Sequence, residues 1–101
     1  MLGPHVVTSE LHVPEGGEAA LETAFQGRLH AVDGWAGFIR LEVWRDGRAP
    51  GRYMLVTWWE CRAAYLAYMH SDDHRMSHAR VPTGDAAPRA VAIQRYEVVT
   101  T

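Results

Sequence analysis

The chain lacks the features that mark several large classes of protein. None of its ten basic side chains is a lysine, and its formal charge of −2 gives no electrostatic case for binding nucleic acid. Its single cysteine, Cys61, excludes an intrachain disulfide. No apolar run approaches the length of a membrane span, and the opening residues MLGPHVVTSE carry no basic segment followed by an apolar one. We therefore expect a soluble, cytoplasmic protein without nucleic-acid or membrane partners.

Common catalytic motifs are absent as well. The sequence has no glycine-rich phosphate loop, no GxSxG elbow, no HExxH and no pair of carboxylates at a useful spacing. If the chain is an enzyme, its chemistry is carried by a cofactor or by a reactive substrate rather than by an obvious acid–base pair.

What is present indicates one domain, 1–101, with enough apolar sequence (48%) for a single core. Leu21, Phe25, Leu29 and Val32 mark one face of a first helix, which Asp33-Gly34 ends. Alternating residues predict strands at 5–13, 38–44, 53–59 and 90–99, with a hairpin turn at 46–51. A second helix covers about 60–69, and a bent continuation reaches about residue 80, before a loop at 81–88. The order β-α-β-β-α-β predicts an α+β, ferredoxin-like antiparallel sheet with both helices on one face.

The third strand indicates self-association. It places Tyr53, Leu55, Thr57 and Trp59 on one face, and Met54, Val56 and Trp58 on the other. Both faces are largely apolar, yet two helices can cover only one. An antiparallel sheet usually leaves its uncovered face wet, so a dry second face predicts a homodimer packed sheet to sheet.

His70, His74 and His78 follow one another at spacings of four. Two of them on one helical face could share a zinc ion, but Ser71-Asp72 interrupts the helix, and a solvated face is the alternative. His78, near the end of the bent helix, could reach over the pocket between helices and sheet and offer its imidazole to a metal or haem iron. Alternatively it interacts with the helix dipole.

Aromatic side chains surround the junction of the third strand and second helix: Trp58, Trp59, Tyr65 and Tyr68. They could stack on a flat ligand or simply form core. Core is the better interpretation for Trp59 and Tyr65, whereas Tyr68 has the better claim to face a cavity.

Three polar residues have open roles. Of Thr8 and Ser9 in the first strand, one hydroxyl points toward the helices and needs a partner, from a ligand or from the backbone. Arg28, one turn beyond Phe25, could bind a carboxylate or extend into solvent. Cys61 has no base beside it, and we interpret it as inert.

Several of these residues together resemble the antibiotic-biosynthesis monooxygenase superfamily, and within it the Isd-type haem-degrading monooxygenases. They are Phe25 and Arg28, the Gly37-Phe38 pair, and the run VTWWECRAAYLAYMHSDDHRMSH with Trp59-Glu60 before Ala64-Tyr65. The likeness covers nearly the whole chain. It implies a dimer of ferredoxin-like subunits whose sheets meet to form an α/β-barrel, with haem between the helices and the sheet of each subunit.

The resemblance also implies residue roles. His78 falls at the position of the axial iron ligand, and Phe25 and Arg28 at pocket-lining positions of the first helix. Ser9 replaces the asparagine that hydrogen-bonds near the open side of the iron, and Tyr68 replaces the tryptophan that presses on the haem. Serine has a shorter reach than asparagine, and tyrosine is smaller than tryptophan.

The leading hypothesis is thus a haem-degrading monooxygenase in which haem is both cofactor and substrate. Electrons would come from an external reductase, because the sequence shows no flavin or nicotinamide site. One alternative is a cofactor-independent monooxygenase that oxidises phenolic or polyketide rings, in which His78 is incidental. Another is a non-enzymatic haem-binding dimer. The bend at Ser71 leaves open whether His74 rather than His78 faces the pocket.

Overall fold

Four antiparallel strands form one sheet in the computed structural model, which describes residues 4–26, 31–71 and 89–101. The strands are β1 (His5–His12), β2 (Phe38–Arg45), β3 (Arg52–Trp59) and β4 (Arg89–Glu97). The helices are α1 (Glu18–Gln26) and α2 (Arg62–Met69), and a short 3-10 turn covers Ala31–Gly34. The predicted β-α-β-β-α-β order is confirmed.

The strands are arranged in the order β2-β3-β1-β4, so β1 pairs with both β3 and β4. In this register Ser9 lies opposite Leu55 on one side and opposite Ile93 on the other. Residues directly opposite each other in an antiparallel pair share a face of the sheet. The register therefore assigns side chains to faces across all four strands.

Both helices pack on the same face, as predicted. Tyr53 and Trp59, six residues apart on β3, project to that face; Tyr53 packs beside Leu21 of α1, and Trp59 packs beside Tyr65 of α2. We call this the helix-bearing face. None of the described elements packs on the opposite face, which we call the open face.

Two glycines allow the chain to turn between these layers. Gly51, at φ 83°, is the last residue of the turn between β2 and β3. Its carbonyl accepts a hydrogen bond from the Val13 amide at 2.7 Å. Gly37, at φ 85°, precedes β2, and a Cβ there would clash with the Cβ of Ala64 in α2. A side chain at Gly37 would thus be unfavourable both in backbone conformation and in space.

The core consists of two clusters at opposite ends of the helix-bearing face. Buried residues of the first, the α2 cluster, are Val7, Val32, Trp59, Tyr65 and Tyr68. The second, the α1 cluster, contains Val13, Leu21 and Tyr53, with Leu11, Phe25 and Val43 packed against it. The interval between the clusters is the part of the face that the core does not fill.

Several predicted boundaries differ from the observed ones by one or two residues. Val32, predicted on the first helix, lies in the 3-10 turn, where its carbonyl accepts a hydrogen bond from the Trp35 amide at 2.9 Å. The predicted continuation to about residue 80, the loop at 81–88 and Leu29 lie outside the described residues. No helix in the described ranges is long and apolar enough to cross a membrane.

Candidate functional site

The candidate site lies between the two core clusters. Along β1, Val7 belongs to the α2 cluster and Leu11 packs against the α1 cluster, with Ser9 between them on the same face. Four residues of an extended strand span roughly 13 Å. The two clusters therefore form the ends of an interval long enough for a flat, multi-ring ligand.

The floor of this interval is less buried than its ends. Ser9 and the neighbouring side chains of β2 and β3 are half-buried: Leu41, Leu55 and Thr57. Trp59 and Tyr53, at the two ends, are only 1% and 2% exposed. Thr57 accepts a hydrogen bond from the Trp59 indole at 2.9 Å. The floor is thus mainly apolar, and Ser9 supplies a hydroxyl near its centre.

Tyr68 lies within the α2 cluster at one end of the floor. Its ring centroid is 5.5 Å from that of Trp59 and 5.5 Å from that of Trp35, which it meets edge-on at 72°. The ring is 7% exposed. Two aromatic neighbours therefore hold it in place, and the prediction that Tyr68 faces a cavity remains a prediction.

Phe25 lies at the other end, half-buried beside the α1 cluster. It lines a shallow pocket of about 270 Å³ together with Glu22, Gln26, Val43, Arg45 and Tyr53. Ser9, Tyr68 and Phe25 are thus on one side of the sheet, as the sequence predicts. Their predicted roles toward a ligand remain predictions.

A polar cluster in this pocket was not predicted from the sequence. The Tyr53 hydroxyl donates to the Glu22 carboxylate at 2.5 Å, and Arg45 donates to both carboxylate oxygens at 2.8 and 3.2 Å. The hydrogen bond from Tyr53, and then that from Arg45, lowers the pKa of Glu22. Burial, followed by the bond to Glu22, raises the pKa of Tyr53. The only sequence signal was a tyrosine in an apolar strand, whose buried hydroxyl needs a partner.

A second unpredicted feature is His5, at the start of β1. It is 5% exposed, and neither ring nitrogen has a hydrogen-bond partner. Its ring centroid is 5.8 Å from that of Tyr65. Burial lowers the pKa of His5, and the charges of Arg62 and Arg95 add to that effect while Glu97 opposes it. We interpret His5 as a neutral, buried imidazole.

The other predicted site residues, Arg28, His74 and His78, lie outside the described residues. Across the described ranges, no group of three or more histidine, cysteine or acidic side chains is arranged to hold a metal ion. Cys61, predicted to be inert, is exposed.

The fold and the sequence together define the class. A model of the antibiotic biosynthesis monooxygenase family matches residues 4–80. The chain therefore belongs to this family, as its resemblance predicted, and the expectation of an oxidoreductase agrees with that membership.

Individual proteins of known activity or structure are similar to this chain. The chain is similar to a mycobilin-producing haem oxygenase of Mycobacterium tuberculosis, with 35% identity over 65 residues that cover 64% of this chain and 62% of that protein. It thus matches less than two thirds of that relative's length. The chain is also similar to the structure of the haem degrader MhuD from the same organism, with two haems bound in its active site. That comparison gives 31% identity, a TM-score of 0.80 and coverage of 97% and 98% of the two chains.

The fold extends to more distant proteins. SnoaB, a cofactor-independent oxygenase from Streptomyces nogalater, is 13% identical, with a TM-score of 0.78 and coverage of 98% of this chain and 96% of that one. At that identity the likeness concerns the fold alone.

Proposed function

We propose that this protein is a haem-degrading monooxygenase that binds haem as its substrate and receives electrons from an external reductase. The observation that carries the proposal is the half-buried, mainly apolar floor between two clusters on the helix-bearing face. The similarity to a haem oxygenase and to a haem-bound degrader supports the choice of ligand.

The residues of this interval suit a tetrapyrrole. A flat ring system gains from burial against apolar and aromatic side chains and needs few polar contacts for orientation. Leu41 and Leu55 contribute the apolar floor, and Ser9 contributes a hydroxyl that can donate or accept a hydrogen bond. The iron ligand in this proposal is His78, on the basis of the sequence resemblance. Bound haem would supply the iron at which dioxygen is activated.

The protein's own residues would bind and orient. Ser9 would offer its hydroxyl to the bound ligand as a hydrogen-bond donor. Tyr68 would bear on the ring plane, braced by Trp35 and Trp59. Phe25 would contact the ligand from α1, and Arg28, on the basis of the sequence resemblance, would bind a carboxylate of the ligand.

The active form is proposed to be a homodimer joined through the open face. Apolar side chains lie on all four strands of that face, and Trp58, Val6 and Tyr96 form one row across β3, β1 and β4. Trp44 and Tyr96 are 49% and 52% exposed. The face also carries charged side chains such as Glu10 and Glu42, so the proposed contact depends on the exposed aromatic residues.

The test is a haemin titration of the purified protein, followed in the Soret region, beside His78→Ala. We expect a saturable, shifted band that His78→Ala loses. His12→Ala is the control, since His12 lies on the open face with its ring bonded to Glu10 at 2.8 Å. Unchanged binding by His78→Ala would contradict the ligand assignment, and a parallel titration of His74→Ala would show whether His74 ligates instead.

Ascorbate and air added to the complex then test degradation. Loss of the Soret band with release of chelatable iron is the expected result. A band that persists would identify a haem-binding dimer without turnover. Oxygen uptake with a phenolic substrate, in a protein that does not bind haemin, would identify a cofactor-independent oxygenase.

A further inference from the structure

Three elements meet at one carboxylate beside the candidate site. Glu22 belongs to α1, Tyr53 to β3 and Arg45 to the end of β2, and both partners hydrogen-bond the Glu22 carboxylate. Tyr53 is 2% exposed, so its hydroxyl has few alternatives to this bond. The hydrogen bond from Tyr53 is partly buried, whereas that from Arg45 is exposed to solvent, so Tyr53 is the stronger partner of Glu22. The cluster is therefore a directional contact between α1 and the β2–β3 hairpin.

Helix α1 has few other contacts that fix its orientation. It has nine residues, and Leu21 is its single buried residue in the described range. A helix this short has little stability of its own and depends on packing. Leu21 and the half-buried Phe25, four residues apart, are its apolar contacts in the α1 cluster, and both lie along one stripe of the helix. Contacts along one stripe specify the rotation of a helix poorly, and Glu22, next to Leu21 in sequence, supplies a contact beside that stripe.

The rotation of α1 determines where Phe25 lies. Phe25 follows Leu21 by four residues and Glu22 by three, so its side chain is a neighbour of each of them on the helix surface. Glu22 and Phe25 line the same pocket. A rotation of α1 that broke the contact with Glu22 would move Phe25 relative to the floor.

We propose that Glu22, held by Tyr53 and Arg45, is a positioning residue that fixes the rotation of α1 and thereby presents Phe25 to the ligand. The part that concerns haem rests on the proposed function. The part that concerns Phe25 does not, because it is a property of the protein without ligand.

The chain allows a direct test, because it contains only two phenylalanines, Phe25 and Phe38. Labelling with 4-fluorophenylalanine gives one fluorine resonance from the site and one from the α2 cluster, where Phe38 packs on Trp59 at 5.3 Å. In Glu22→Ala we expect the Phe25 resonance to shift or broaden while the Phe38 resonance stays in place. Alanine favours the helix, so the substitution does not weaken α1 through propensity. Arg45→Met is a second variant that leaves α1 unchanged.

Glu10→Ala is the matched control. Glu10 also holds two partners, Arg52 and His12, each at 2.8 Å, but it does so on the open face. The Glu10→Ala variant should therefore leave both fluorine resonances and haemin binding unchanged. In Glu22→Ala we expect haemin to bind about tenfold more weakly, which is the loss of a single well-formed contact.

Two results would overturn the proposal. An unchanged Phe25 resonance in Glu22→Ala and Arg45→Met would show that the cluster does not position this ring. Equal displacement of both resonances would show a general loosening and a merely structural role. If the wild-type protein binds no haemin, the proposed function fails, yet the fluorine measurement still decides whether Glu22 positions Phe25.

Discussion

At the scale of single residues, the helix-bearing face differs in how its buried polar groups are satisfied. The Tyr53 hydroxyl and the Trp59 indole each have a partner, whereas both ring nitrogens of His5 have none. An unsatisfied buried polar group is costly, and a charged one is costlier still. Burial at this position therefore favours the neutral form of His5 and lowers its pKa.

This environment predicts a specific dependence of stability on pH. The folded-state pKa of His5 lies below its ordinary value of 6.5, so the unfolded chain binds a proton more readily. The contribution of His5 to the free energy of unfolding is therefore fully present above about pH 6.5, and it decreases as the pH falls below that value. The groups facing His5 are Arg62 and Tyr65 of α2, and Arg95 and Glu97 of β4.

The prediction is tested with His5→Phe, which keeps a ring against Tyr65 and removes the titration. Urea unfolding at pH 7 and at pH 5 gives the stability that each protein loses between these two pH values. We expect this loss to be smaller in the variant than in the wild-type protein. The other histidines are common to both proteins and cancel in the comparison. Equal losses would mean that His5 titrates normally in the folded protein.

Residue-scale contacts were also the hardest to predict from sequence. The alternation of β1 placed one of Thr8 and Ser9 toward the helices, and the register identifies Ser9. Glu22 and Tyr53 are 31 residues apart, and their bond depends on how α1 lies on the hairpin. No periodicity contains that information, because it arises from tertiary packing alone.

At the scale of elements, Gly37 links the start of β2 to α2. Its carbonyl accepts a hydrogen bond from the Glu60 amide at 2.7 Å, and Ala64 packs against its Cα. From the sequence we predict that the chain re-enters the sheet at Gly37. The sequence does not reveal that α2 approaches Gly37 so closely that no side chain fits at this position.

Gly37→Ala should therefore destabilise the protein by about 1–3 kcal/mol from backbone strain alone, with a further loss from the clash with Ala64. Gly47→Ala is the control, since a Cβ at Gly47 meets nothing within 4 Å. It should change the free energy of unfolding by no more than about 0.5 kcal/mol. Urea denaturation measures the free energy of unfolding of both variants. Similar values for the two variants would argue against close packing of α2 on Gly37.

At the scale of the whole molecule, the sequence was most informative about the sheet. The two apolar faces of β3 could be read from alternation, because side chains project to opposite faces with a period of two. The structure confirms that both helices occupy one face, and the other face carries apolar side chains such as Val6 and Trp58 among charged ones such as Glu10 and Arg52. The partner for the open face could not be read from one chain, since it depends on a second surface.

Removal of exposed apolar side chains from the open face should separate the proposed dimer. Trp44 and Tyr96 are about half exposed, so Trp44→Ser with Tyr96→Ser removes mainly surface area, together with the contact of Trp44 with Trp58 and its hydrogen bond to Glu42. Ile93→Ser is the matched control, because Ile93 is 50% exposed but lies on the helix-bearing face opposite Ser9. Sedimentation velocity should show a dimer for the wild-type protein and the control, and a monomer for the double variant at the same concentration. A double variant that remains dimeric would place the subunit contact elsewhere, and a monomeric wild-type protein would exclude the sheet-to-sheet homodimer.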